Sequence, residues 1–178
     1  IIGMFLFLSP LLNHWIQKHN SLLLFPFLLL YGILLFVICY KSRCIPVGDS
    51  ACVYQGALYM AGLSNEINWA YFARCNNNII PAVFLSLLFR LGSFLGLTDV
   101  YYAAVVMNVL QVLAALYCVF RICEKHSHHS AISAWLGMGM LACYFPLISH
   151  TQSLYTDAFS FCFAIVAYYI WSCNQEHT

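Results

Sequence analysis

Six carboxylates serve the whole of this 178-residue chain, and two of them stand where they could do chemistry. Asp49 lies in Ile45-Pro-Val-Gly-Asp-Ser-Ala-Cys-Val-Tyr54, ahead of small and apolar residues that run to Gly62. The Pro-Gly pair breaks the chain, so 50–62 reads as a helix closed by Gly62. An Asp at that position caps the helix by accepting backbone N–H bonds from its first turn, or acts as a general base. The two roles are compatible, because a cap fixes one carboxylate oxygen and leaves the other free. Asp157 follows Ser153-Leu-Tyr-Thr and opens the final apolar run. It either complements a helix dipole or forms an acid at the mouth of a membrane cavity, held beside Tyr155. An ionisable group this close to hydrocarbon is a functional candidate by default. Glu66, Asp99, Glu124 and Glu176 complete the inventory.

Asn76-Asn77-Asn78 precede Pro81 and an apolar segment. They form an Asn-rich turn that caps a helix, or their amides orient a sugar hydroxyl or a phosphate. His126, His128 and His129 share one polar turn with no carboxylate-rich surroundings and read as solvated surface, so no metal site is expected. The nine cysteines are odd in number and include no C-x-x-C pair. Most sit in apolar runs as small buried hydrophobes. A Gly-rich phosphate loop, a Ser-His-Asp order and H-E-x-x-H are all missing, so neither nucleotide chemistry nor a cofactor is expected.

The elements that must position these residues follow from composition. Hydrophobic residues make up 63% of the chain, aromatic residues 17% and charged residues 7%, with net charge +1 and mean hydropathy +0.81. A soluble domain carries about 25% charged residues. These values exclude a water-soluble globule and a disordered chain, and the missing basic excess excludes a nucleic-acid partner. The expected fold is all-α, a polytopic transmembrane helix bundle in one domain over 1–178, with multi-pass insertion in the cell membrane and contact with its lipid. The chain opens Ile1-Ile2-Gly3 without a Met and ends soon after an apolar run, so it is expected to be a fragment.

Uncharged runs mark the spans. A crossing helix needs about 20 apolar residues, which places spans near 22–40, 100–120, 131–149 and 157–173. Residues 1–17 are interrupted by Pro10, Asn13 and His14 and form a further span or an interfacial helix. Residues 41–97 are expected to be an extracytoplasmic loop with juxtamembrane helices. Within it, 79–97 is apolar enough to span, but Arg90 inside hydrocarbon would cost on the order of 2.5–3.5 kcal/mol. A helix over 79–90 lying at the interface, with Arg90 reaching the headgroups, avoids that cost. Asp49 and Asp157 then face the same side. Lysines and arginines are too evenly divided between the loops to orient the chain, though Arg121–Ser130 resembles a cytoplasmic turn.

The order of these features resembles the start of the GT-C glycosyltransferases. The matching features are an apolar span, a loop with Asp49 followed by Tyr54 in a small-residue helix ending at Gly62, and then Cys75-Asn-Asn-Asn-Ile-Ile-Pro81 leading into a short Leu-rich helix. Tyr155-Thr-Asp157 before a span is similar to an element of bacterial mannosyltransferase-like members. The resemblance covers about 22–173, the amino-terminal half of such an enzyme. It implies an inverting transfer from a polyprenyl-phosphate-linked sugar donor to a glycan or protein acceptor, with Asp49 as general base. Tyr54, Asn77, Tyr155 and Asp157 would contact substrate. A phosphate leaving group needs cations rather than the second carboxyl group of a glycosidase, a role that suits Arg43, Arg74 and Arg90. The alternative for each arginine is snorkelling to the headgroups. Family members often carry Tyr or Pro before the Asn pair, where this chain has Arg74-Cys75.

Two other classes compete. A small transporter or lipid-linked-sugar flippase is expected to show broken helices or inverted repeats, and the sequence displays neither. A non-catalytic assembly subunit gives no reason for two acids on one face.

Overall fold

A computed structural model describes the backbone of residues 2–44, 46–127, 130–154 and 156–175; side chains are described from residue 20 onward, apart from 21, 45, 128–129, 153, 155–159 and 176–178. The described residues are helical, without a strand. In chain order the helices are α1 (Ile2–Lys41), α2 (Asp49–Ala61), α3 (Trp69–Arg74), α4 (Ile79–Phe94), α5 (Tyr101–His126), α6 (Ala131–Ala142), α7 (Phe145–Ser153) and α8 (Thr156–Asn174), with a 3-10 turn at Asn76–Asn78 between α3 and α4.

Three helical stretches are long and apolar enough to cross a membrane: Leu22–Lys41, Asn76–Phe94 and Tyr101–His126; α6 and α7 make a fourth if they serve as one broken span. The chain is a helical protein with the segments of a membrane protein. Three details differ from expectation. No break separates 1–17 from the next span, because α1 continues through Pro10 and Pro26 for 40 residues. At 1.5 Å per residue it is about 60 Å long, roughly twice the thickness of a hydrocarbon core. The run expected at 131–149 is divided at Cys143 and Tyr144. Pro146 has no N–H for the preceding turn and disfavours helix in the residue before it, and it stands in the first turn of α7. Third, α4 does not stop at Arg90 but reaches Phe94. Its end is set by Gly96, at φ 77, with Leu97 N–H donating to the Gly92 carbonyl at 3.0 Å, the bonding of a left-handed C-terminal cap.

Where the sequence reads as one domain, the chain divides into two compact units. The first comprises Ile1–Ile33, Val112–Tyr144 and Cys162–Thr178; the second comprises Leu34–Gln111 and Phe145–Phe161. In the first unit, Phe120 and Phe27 both meet the Trp135 ring edge-on at 5.5 Å. The Tyr31 hydroxyl donates to the Ala142 carbonyl at 2.8 Å, satisfying a backbone acceptor freed where α6 stops.

The second unit is built on α2 and α4. Ala82, Leu85, Ser86 and Phe89 are buried on α4, the i, i+3, i+4, i+7 pattern of a helix with one packed face. Opposite them, α2 buries Ser50, Val53, Gly56 and Ala57. These small residues let two backbones approach closely. The outward face of α4 is apolar as well, with Ile80 77% and Phe94 86% exposed.

Candidate active site

Residue order at the start of α2 explains how Asp49 is presented. Gly48 takes φ 60, ψ −130 and is itself the N-cap, a backbone region that only glycine occupies without strain. Asp49 is therefore the first helical residue and makes no cap hydrogen bond, which corrects the expected capping role. The first turn is tied instead by the Ser50 hydroxyl, which donates to the Val47 carbonyl at 2.9 Å. At its other end α2 stops where Gly62 turns left-handed at φ 79, with its N–H on the Tyr59 carbonyl and that of Leu63 on Leu58, both at 2.9 Å. The helix is thus pinned at both ends and along α4, and Asp49 sits exposed on its rim.

The carboxylates divide sharply. Asp99 accepts from Arg43 Nη1 at 2.7 Å and from the Tyr101 N–H at 3.1 Å. Glu124 accepts from Asn20 at 2.9 Å and from Arg121 at 2.5 Å. Glu66 accepts from Gln55 at 3.2 Å. Among the described residues Asp49 alone of these acids has neither hydrogen bond nor ion pair. Both Asp49 oxygens are thus unengaged among the described residues.

Tyr71, on α3, is the group that feels Asp49 most plainly. Burial pushes its phenol above the ordinary value and the Asp49 charge pushes the same way, while the hydrogen bond from Asn78 opposes them. Asn78 Nδ2 donates to the Tyr71 hydroxyl at 2.5 Å. Asn68 caps α3, its Oδ1 accepting from the Tyr71 N–H at 3.0 Å. Gly56 receives the Phe72 ring, which leaves no space for a side chain there. Asn78 and Tyr71 are thus joined by a hydrogen bond, and the phenol lies within electrostatic reach of the Asp49 carboxylate.

The expected site residues distribute unevenly around this neighbourhood. Asn77 is exposed and donates only to Asn78, at 3.5 Å, whereas Asn78 is the buried member of the triplet. Tyr54 leans edge-on against Phe89 at 5.3 Å, and its phenol is raised by burial and by Asp99 and lowered by Arg43. It thus belongs with the Arg43–Asp99 pair. Arg43 also lies 5.2 Å from the centroid of the Tyr101 ring. Arg90 donates to the Met60 carbonyl in the last turn of α2, where a cation complements the helix dipole. At 1.5 Å per residue that is about 16 Å along α2 from Asp49, so Arg90 and Asp49 do not converge. Arg74 is exposed, and its Nε donates only to the Ala70 carbonyl of its own helix at 3.4 Å. Asp157 stands in the first turn of α8; its side chain and Tyr155 lie outside the described residues.

Sequence reasoning missed Tyr71; of the Asn triplet it carried Asn77 rather than Asn78 to substrate, and it noted Asp99 only in the inventory of acids. The signal available for Tyr71 was its place seven residues before Asn78, the last residue of the Asn turn. Among the described residues no group of three His, Cys, Asp or Glu side chains is arranged to hold a metal ion. Comparison of the chain with protein-family models, with curated proteins and with solved structures finds no match in any of the three.

Proposed function

We propose that the chain is an integral membrane glycosyltransferase of GT-C type, which moves a sugar from a polyprenyl-phosphate-sugar to an acceptor hydroxyl outside the cytoplasm. Asp49 takes the hydroxyl proton as the acceptor oxygen attacks the anomeric carbon. The bond from that carbon to the phosphate oxygen breaks, its electron pair leaves with the polyprenyl phosphate, and the anomeric configuration inverts. A phosphate leaving group needs no protonating acid, which fits a site with one free carboxylate. The observation that carries this proposal is the contrast among the acids: Asp99, Glu124 and Glu66 are engaged, and Asp49 is exposed and unpartnered among the described residues. Of the three candidate arginines, Arg74 is best suited to meet the departing phosphate, since it stands one turn from Tyr71 on α3 and its only partner among the described residues is a backbone carbonyl. In this proposal α4 lies in the interface as a non-spanning element. Asn76–Phe94 is long and apolar enough to cross, but Arg90 would be costly inside hydrocarbon, and the outward apolar face of α4 suits lipid at the interface. Asp49 and the start of α8 then share the extracytoplasmic side.

A second proposal, a small transporter, is favoured by one observation. The bent α6–α7 pair occurs in a chain that also buries polar groups: Asn108 of α5 donates to the Thr151 carbonyl of α7 at 3.2 Å, and among the described residues Gln111 Nε2 has no hydrogen-bond partner. Interrupted helices with polar groups at membrane depth line substrate paths in transporters.

The deciding experiment reconstitutes the chain in liposomes with radiolabelled polyprenyl-phosphate-mannose or polyprenyl-phosphate-glucose and measures polyprenyl phosphate release. Asp49→Asn is expected to lower release by about 10²–10⁴-fold, the usual worth of general-base assistance. Because Asp49 caps nothing, the same change costs only about 0.3–1 kcal/mol of dipole interaction. Undiminished transfer by the Asn variant would remove Asp49 from the chemistry.

A further inference from the structure

We infer that the open groove between α2 and the 64–68 segment is a saccharide-binding subsite, selective for a neutral chain and leading along α2 to Asp49. The inference rests on the glycosyltransferase proposal for its biological role but on separate residues for its binding. The groove has a volume of about 490 Å³ and is lined by Ala51, Cys52, Gln55, Glu66, Ile67 and Asn68, within the range of about 300–1,000 Å³ usual for ligand clefts.

Its polar atoms match hydroxyl groups, which both donate and accept. Gln55 gives one N–H to Glu66 Oε2, which leaves its Oε1 and the other Glu66 oxygen as acceptors. Asn68 commits its Oδ1 to the Tyr71 N–H, so its amide N–H groups remain as donors. None of the six lining residues is a cation. With Glu66 in the wall and Asp49 at the end of the same helix, the groove repels phosphate and admits an uncharged ligand. That property separates an acceptor sugar from a lipid-phosphate donor.

Helical periodicity sets the direction. Asp49, Cys52, Gln55 and Tyr59 fall along one stripe of α2, at steps of three, three and four residues, spanning about 15 Å. Beyond Gln55 the stripe ends in an aromatic platform, where Tyr59 meets Trp69 edge-on at 6.0 Å and the indole is 60% exposed. Exposed indole faces stack on the apolar side of sugar rings through the same contact that makes them anchors at membrane interfaces. The groove sets the polar side chains of Gln55, Glu66 and Asn68 among the apolar Ala51, Cys52 and Ile67, a mixture that suits the hydroxyl-bearing and apolar faces of a sugar better than a lipid chain.

The test uses the full chain in lipid nanodiscs, titrated calorimetrically with mannotriose, maltotriose and chitotriose, and with glucose 6-phosphate as the anionic control. At least one neutral trisaccharide is expected to bind and the sugar phosphate is not. Gln55→Ala, Glu66→Ala and Trp69→Ala should each raise Kd about tenfold, as expected for loss of a contact to a polar ligand. Trp69→Phe, which keeps a ring and guards against a folding defect, should lose less. The subsite is overturned if no trisaccharide binds, if the variants bind like wild type, if the sugar phosphate binds best, or if Trp69→Ala weakens only quenching by brominated lipid. Asp49→Asn separates the two proposals: it should lower transfer by about 10²–10⁴-fold and leave saccharide binding intact. Lost transfer without saccharide binding would sink the groove alone, whereas binding with transfer unaffected by Asp49→Asn would sink the catalytic assignment alone.

Discussion

Asp49 and Glu124 are both carboxylates on helices, one in each compact unit, and they have opposite surroundings. Glu124 is 15% exposed and closed on both oxygens, one by Asn20 and the other by Arg121. Asn20 is in turn held by the Trp135 indole N–H at 2.9 Å. This chain of bonds joins α1, α5 and α6 and leaves the carboxylate nothing to offer a ligand. Asp49 is held just as firmly through its backbone, by Gly48 and by the α2–α4 packing, but its side chain is left unengaged. A buried polar network stabilises only when every member is satisfied; a group kept out of such a network on a rigid element is available for chemistry. Glu124 therefore holds helices of the first unit together, whereas Asp49, unlike Asp99 and Glu66 of the same second unit, is left exposed and unengaged among the described residues.

The contrast can be broken at the Glu124 end. Glu124→Ala removes the acceptor of a charged and an amide donor, and hydrogen bonds to charged groups are worth about 1.5–3 kcal/mol each. The unfolding free energy in detergent should fall by at least about 1.5–3 kcal/mol, with the proposed sugar transfer per folded molecule unchanged. Asn20→Ala should produce much of the same loss, and the double variant should fall short of the sum because the two share one network. Additive losses would show that Asn20 and Glu124 act independently.

Gly56→Ala tests how the second unit holds its site. A Cβ at Gly56 would lie 2.5 Å from Phe72 Cζ and 2.6 Å from Cε2, and Phe72 is buried, so its ring must displace packed neighbours to make room. Overpacking of this kind costs about 1–3 kcal/mol. It also displaces α3, and with it Tyr71, so transfer should drop along with stability. Phe72→Leu in the same chain should recover part of both. Normal stability of Gly56→Ala would mean that α3 is free to shift and that the Tyr71 position is not enforced from α2.

How much of this was legible in the sequence depends on whether the deciding contact is local. The α2 boundaries were readable, because Gly48 and Gly62 punctuate the chain at the positions where φ turns positive. The start of α5 was readable too, but its end was not: the helix runs on to His126 through residues 121–126, which the charged and polar side chains there made look like a turn. The continuity of α1 was hidden by its prolines. In apolar surroundings a helix is the way a chain satisfies its own backbone, and one lost N–H bond is tolerated. The division at Cys143 was masked by uniform hydrophobicity although Pro146 signalled it. Arg90 looked like a stop for α4 because its partner, the Met60 carbonyl, is supplied from another helix. Arg43 and Asp99 likewise meet only through folding. In the Asn triplet, residue type could not distinguish Asn77 from Asn78; burial against Tyr71 did so.

The smallest effect probes the link between Asp49 and Tyr71 directly. The folded chain raises the Tyr71 phenol above its ordinary value of 10.0, through burial first and the Asp49 charge among the other causes. A raised folded value means that the native state holds the phenolic proton more tightly than the unfolded chain. Below pH 10 that contribution to stability is complete. As pH climbs from 10 through the folded value, the unfolded state binds fewer protons than the native one, so stability declines with pH. Tyr71→Phe should flatten this alkaline decline, while at neutral pH it costs about 0.5–1.5 kcal/mol for the lost bond to Asn78. Asp49→Asn should act on the same titration without touching that bond: with the nearby charge gone, the Tyr71 midpoint, read as tyrosinate absorbance with Tyr71→Phe subtracted, should move down towards 10. Burial remains, so the midpoint should stay above 10. A Tyr71 midpoint identical in wild type and Asp49→Asn would mean that the two side chains do not share a field, and would separate the phenol from the acid in any account of the site.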